Sequence, residues 1–127
     1  MLSHKELMLG NWVYESERSQ FPMEVVNIDK DMVYLDFEGN EGDWFDGRME
    51  DICPIQLTEG ILLKNNFAKE YNSFYNKGNY VIELSDIGEG RFNIALGFGD
   101  YYASEIKYVH QLQNILTIAG IDIDFRI

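Results

Sequence analysis

The chain carries one thiol, Cys53, and two imidazoles, His4 and His110. A thiolate beside an imidazole is a nucleophile, so Cys53 and His110 together hold the ingredients of covalent catalysis. Nothing in the spacing joins them; only the fold can. Cys53 stands between Ile52 and Pro54 and reads equally as a small buried hydrophobe. A carboxylate pair in a cleft is the other enzymatic route, but 22 acidic residues offer too many pairs to single one out.

The densest charge runs over residues 36–51, with Asp36, Glu38, Glu41, Asp43, Asp46, Glu50 and Asp51. Such a run invites calcium. An EF-hand loop starting at Asp36 needs glycine at 41 and glutamate at 47; the chain has Glu41 and Gly47, so the motif fails. The stretch then reads as a solvated loop or as a surface for a partner, with Asp43 and Asp46 as the candidate contacts. No glycine-rich phosphate loop and no serine elbow occur. No metal and no cofactor are expected.

Ten basic residues against 22 acidic give a net charge of −12. That field repels nucleic-acid phosphates and anionic lipid, so direct binding to either is not expected. The lone cysteine cannot form an internal disulfide, which favours a reducing, cytoplasmic home. No run approaches the roughly 20 apolar residues that span a bilayer.

The elements that would position these groups follow from periodicity. Residues 104–120 read as the main helix, with Ser104 as cap, Glu105 in the first turn and Gly120 closing it. Tyr108, Val109, Leu112, Ile115, Leu116 and Ala119 share one face. His110, Gln113 and Thr117 form a polar stripe beside it, which either bonds to neighbouring backbone or meets a partner. A second, short helix follows Thr58, with Leu57 and Leu62 at hydrophobic-staple spacing and Asn66 suited to a left-handed cap.

Upstream, residues 7–16, 23–29 and 32–38 read as three strands of a meander, one able to curl into a small SH3-like barrel. Downstream, residues 74–76 and 80–84 make a hairpin across Lys77, Gly78 and Asn79, and residues 91–98 alternate as a further strand. Tyr71, Phe74, Tyr75, Tyr80, Tyr101 and Tyr102 serve as cross-strand packing or line a groove. After Gly120 the chain closes as an edge strand or a tail. The expectation is one α+β domain over 1–127. It has a β-rich part at 7–55. Residues 56–127 then supply a short helix, an antiparallel hairpin sheet, the long helix packed on that sheet, and the tail.

Three stretches taken together resemble a family. They are residues 9–13 (LGNWV), 54–67 (PIQLTEGILLKNNF) and 108–116 (YVHQLQNIL) with Gly120 beyond. Their order and spacing are similar to a group of small uncharacterised proteins of gut anaerobic bacteria and their phages or mobile elements. That group carries "PIPLTEE..LLK.GF" and "YVHQLQNL" motifs. Gln56, Gly60 and Asn66 stand where those proteins have Pro, Glu and Gly. The resemblance implies a mobile-element setting and carries no activity or site residue with it.

Three functions stay open. The first is a non-catalytic accessory protein that binds an unidentified protein, through His110, Gln113, Thr117, Asp43 or Asp46. The second is an acidic mimic of DNA that inhibits a DNA-handling protein. The third is a small enzyme built on Cys53 or a carboxylate pair. The sequence leaves the oligomeric state open.

Overall fold

A computed structural model describes every residue except Met1, His4, Glu41, Asp43, Asn79, Tyr80, Phe98 and Gly99, with backbone alone for 100–104. In chain order the elements are β1 (Trp12–Tyr14), β2 (Pro22–Asp29), β3 (Met32–Asp36), β4 (Phe45–Arg48), a 3-10 turn (Met49–Asp51), β5 (Cys53–Pro54) and α1 (Glu59–Lys64). There follow β6 (Ala68–Glu70), β7 (Ser73–Lys77), β8 (Val81–Gly88), β9 (Arg91–Leu96), β10 (Asp100–Ile106) and α2 (Val109–Ile118). The α+β class is as expected. The chain divides into two compact units: residues 1–55 with 108–118, and residues 56–107 with 119–127. The residues of α2 group with the first unit.

The first unit is an antiparallel sheet in the order β4-β3-β2-β1-β5. Alternation places Val13, Met23, Val25, Val33 and Leu35 on one face, all buried. Leu2, Leu7, Met49 and Ile52 cover that face, and Phe37 packs at its margin. The SH3-like barrel does not form. β4 and β5 lie at opposite ends of the sheet and do not pair, and side chains from the loops cover the apolar face that closure would have hidden. Gly47, opposite Val33, makes room for this core: a Cβ there would meet Ile52 Cδ1 at 3.2 Å.

The long helix is shorter than its sequence suggests. Residues 104–106 belong to β10, where Ile106 pairs with Phe92 and is buried, and Glu105 has a positive φ of 58°. Ser104 therefore does not cap a helix. Tyr108 takes the capping position, and Gln111 reaches back so that its Oε1 accepts the Tyr108 N–H at 3.1 Å. That is the return half of a capping box. Val109, Leu112 and Leu116 are buried and Gly120 turns left-handed, as the periodicity implies.

The second unit is a meander in the order β10-β9-β8-β7-β6. Phe74, Leu84 and Ile94 are cross-strand partners and buried, and the Phe74 and Phe92 rings meet edge to face at 6.1 Å. The Lys77↔Val81 pairing confirms the expected hairpin. α1 follows its sequence closely. Thr58 Oγ1 accepts the Ile61 N–H, Leu57 and Leu62 are both buried, and Asn66 is left-handed at φ 67°. Phe67 N–H bonds to Leu62 carbonyl and Asn66 N–H to Leu63 carbonyl, which completes a Schellman motif. Residues 121–127 form a tail with no strand, anchored by buried Ile121 and Phe125. Among the described residues no helix is long and apolar enough to cross a membrane.

Candidate functional site

The polar stripe of α2 does structural work within the first unit. Gln113 Nε2 donates to the Gly10 carbonyl at 3.1 Å, and its Oε1 accepts the Trp12 N–H at 2.9 Å. β5 pairs with β1 only at Val13 and Tyr14, so the Gln113 amide continues the ladder where β5 has run out. Asn114 Nδ2 donates to the Glu6 carbonyl at 2.7 Å, and Asn11 Nδ2 donates to Asn114 Oδ1 at 2.8 Å. Thr117 Oγ1 donates to the Gln113 carbonyl one turn back, at 2.9 Å.

His110, expected on a polar stripe beside the apolar face, is buried, with 2% of its surface exposed. Its ring stacks on Tyr108 at 5.9 Å, and Nε2 lies 4.0 Å from Glu6 Oε2. Nδ1 has no hydrogen-bond partner among the described residues. Burial pushes its pKa down to about 4, so the imidazole is neutral at physiological pH.

The acidic stretch is organised by Asp36. Its Oδ1 accepts from Asn40 Nδ2 and from Phe37 N–H, and its Oδ2 accepts from Gly42 N–H. The Asn40 bond holds this carboxyl below the usual range, against desolvation and with the help of the two backbone bonds. Asp36 thus serves the loop's own backbone. Among the described residues no group of three or more His, Cys, Asp or Glu is placed to hold a metal. Asp43 lies outside the described residues.

What the sequence did not single out is the aromatic density around β4. Phe45 lies opposite Leu35 on the core face and stacks on Phe37 at 5.9 Å. Phe37 in turn meets Phe21 edge to face at 5.3 Å. On the other face, Tyr34 lies opposite Asp46 and its ring contacts Trp44 at 6.4 Å. Phe21, Trp44 and Phe45 are 53%, 50% and 43% exposed, so about half of each ring still faces water. The signal was present in Trp44 and Phe45, but their clustering with Phe21 comes from the β2-β3-β4 register.

Cys53 is partly buried and its Sγ contacts the Asp51 carbonyl at 3.5 Å. Burial, then the Glu17 and Asp51 carboxylates, push the thiol up, opposite to what a nucleophile needs. The structure shows no contact between Cys53 and His110 among the described residues. An open cleft of about 650 Å³ lies between the β2–β3 turn and the 3-10 turn. Lys30 and Arg48 there are matched by Asp31 and Glu50, so the cleft offers no net charge to a ligand. Of the groups expected to form a site, His110, Gln113 and Thr117 lie together on α2, and Asp46 lies on β4, opposite Tyr34 and on the face of Trp44. Comparison with protein-family models, with curated proteins and with solved structures finds no match.

Proposed function

We propose that this is a non-catalytic accessory protein that binds another protein through the aromatic margin around β4. The carrying observation is that half-exposed rings stand on both faces of this margin, Phe45 and Phe21 meeting at Phe37 on one, Trp44 with Tyr34 and Asp46 on the other. Large aromatic side chains that give up water at a protein surface are the usual anchors of an interface. A net charge of −12 favours a partner with a basic rim. The lone, raised thiol suits a reducing cytoplasm, and the motif resemblance suggests a phage or mobile element as the setting.

The test is capture from native-host lysate with the wild type and with a Phe21→Ala/Trp44→Ala variant, at low and high salt and with nuclease. Both side chains are half exposed, so the variant keeps its fold, checked by circular dichroism. A partner held by the wild type and lost by the variant supports the reading. A partner held equally by both overturns it. The acidic DNA-mimic reading has the net charge for support. It requires that the captured protein handles DNA, that salt releases it, and that DNA competes for it.

A further inference from the structure

β4 is the last strand of its sheet, and the direction of its backbone groups follows from one hydrogen bond. Met49 N–H donates to the Asp31 carbonyl at 2.7 Å. The β3–β4 register pairs Val33 with Gly47 and Leu35 with Phe45. In an antiparallel ladder hydrogen-bonded pairs alternate, so Gly47 and Phe45 turn their backbone groups toward β3, in step with Met49. Asp46 and Arg48 then turn theirs outward, to the open edge.

We propose that this edge pairs with the same edge of a second copy of the chain, antiparallel and centred on Gly47. In that register Asp46 of each chain lies opposite Arg48 of the other. Arg48 N–H of each chain donates to the Asp46 carbonyl of the other, and the Asp46 N–H groups face the Arg48 carbonyls. The two carboxylates and two guanidinium groups stand side by side on one face as two opposite-charge cross-strand pairs. The two glycines meet at the symmetry axis as a non-hydrogen-bonded pair, where strands approach closest.

The sequence Asp46-Gly47-Arg48 favours a second copy over an unrelated strand because it is its own complement when reversed. Edges that only need protection carry like charges, usually lysine, which repel a copy of themselves. Here opposite charges flank a glycine, and one of them is among only ten basic residues in a chain with 22 acidic ones. Among the described residues Arg48 is held by Glu50 at 3.3 Å, and both side chains are well exposed. Such a pair is worth little, so the guanidinium is free to turn to Asp46 of the second copy. Trp44 and Phe45 lie at the same edge and come beside the second copy's 3-10 turn, where they lose water. The inference rests on register and charge; because it covers Trp44, Phe45 and Asp46, a second copy competes with the partner proposed above for this edge.

The test is sedimentation velocity of the purified chain from about 10 μM to about 1 mM. Four forms are compared: wild type, Asp46→Arg, Arg48→Asp, and the double exchange Asp46→Arg/Arg48→Asp. Circular dichroism checks that each folds, and both positions are exposed. The expected result is a wild-type dimer, a dissociation constant raised at least about tenfold by either single reversal, and recovery to within about threefold in the double exchange. A wild type that stays monomeric over the whole range overturns the proposal. So does a dimer that ignores the single reversals, which would form through another face. So does a double exchange that fails to recover.

Discussion

Asn65 and Arg126 pair as two strands would, although only one of them contributes backbone. Asn65 Nδ2 donates to the Arg126 carbonyl at 2.6 Å, and its Oδ1 accepts the Arg126 N–H at 2.7 Å. The same Nδ2 donates to the Ile61 carbonyl at 2.8 Å. One buried side chain therefore closes α1 and holds the tail. Asn65→Leu removes these bonds and is expected to cost about 2–3 kcal/mol. Asn65→Asp keeps the acceptor but turns a carboxylate oxygen toward the Ile61 and Arg126 carbonyls, and should cost at least as much at neutral pH. Urea denaturation of the three forms gives the order.

Gln113 does the same for residues 10–12. Gln113→Ala leaves the Trp12 N–H and the Gly10 carbonyl without this partner, at an expected cost of about 1–2 kcal/mol. Hydrogen exchange locates the effect: the Trp12 amide should lose protection while the amides of β2 and β3 change little. Uniform loss over the sheet would refute the local account.

The burial of His110 makes stability depend on pH. Its pKa falls from 6.5 when unfolded to about 4 when folded. Between those values the unfolded chain takes up a proton that the folded chain refuses. The contribution is complete above pH 6.5 and is lost as the pH falls toward 4, by about 3 kcal/mol. His110→Phe removes it. Urea midpoints at several pH values should then fall less steeply toward acid in the variant than in the wild type. Parallel curves would show that His110 does not titrate in this way.

Glu89 and Gly90 join β8 to β9 with positive φ at both residues, 57° and 70°. That is the type I′ pattern, which glutamate tolerates poorly and asparagine well. Glu89→Asn should raise stability by about 0.5–1 kcal/mol, read as a higher thermal midpoint. The exposed Arg91–Glu89 contact at 3.7 Å is too weak to reverse the sign.

Where structure follows from neighbours in sequence, the chain was legible. Thr58, Leu57, Leu62 and Asn66 announced α1 from cap to cap, and alternation announced β2, β3, β8 and β9. The start of α2 was misread because Ser104 and Glu105 satisfy local capping rules. The pairing of Ile106 with Phe92 outweighs those rules, and a tertiary contact leaves no mark in the neighbouring sequence. β5 and β6 were missed for the same reason: strands of two and three residues have too few alternations to register. The polar stripe was seen, but its targets at residues 6–12 lie about a hundred positions away, so the role of Gln113 was invisible. Asp46 stands out in the sequence for its charge alone; its place opposite Tyr34 needs the register.

The two ends of the first sheet are finished differently, and this decides how large an assembly it can build. At the β5 end the strand is two residues long and includes Pro54, which has no N–H. Beyond it Gln113 already occupies the groups that an incoming strand would need. A sheet capped at one side has a single growing point. Joining two such sheets through β4 consumes both growing points and leaves a capped margin at each far side. The arithmetic of stacking stops at two, and the geometry that would let edge strands run on into a filament is denied to this sheet by one glutamine and one proline.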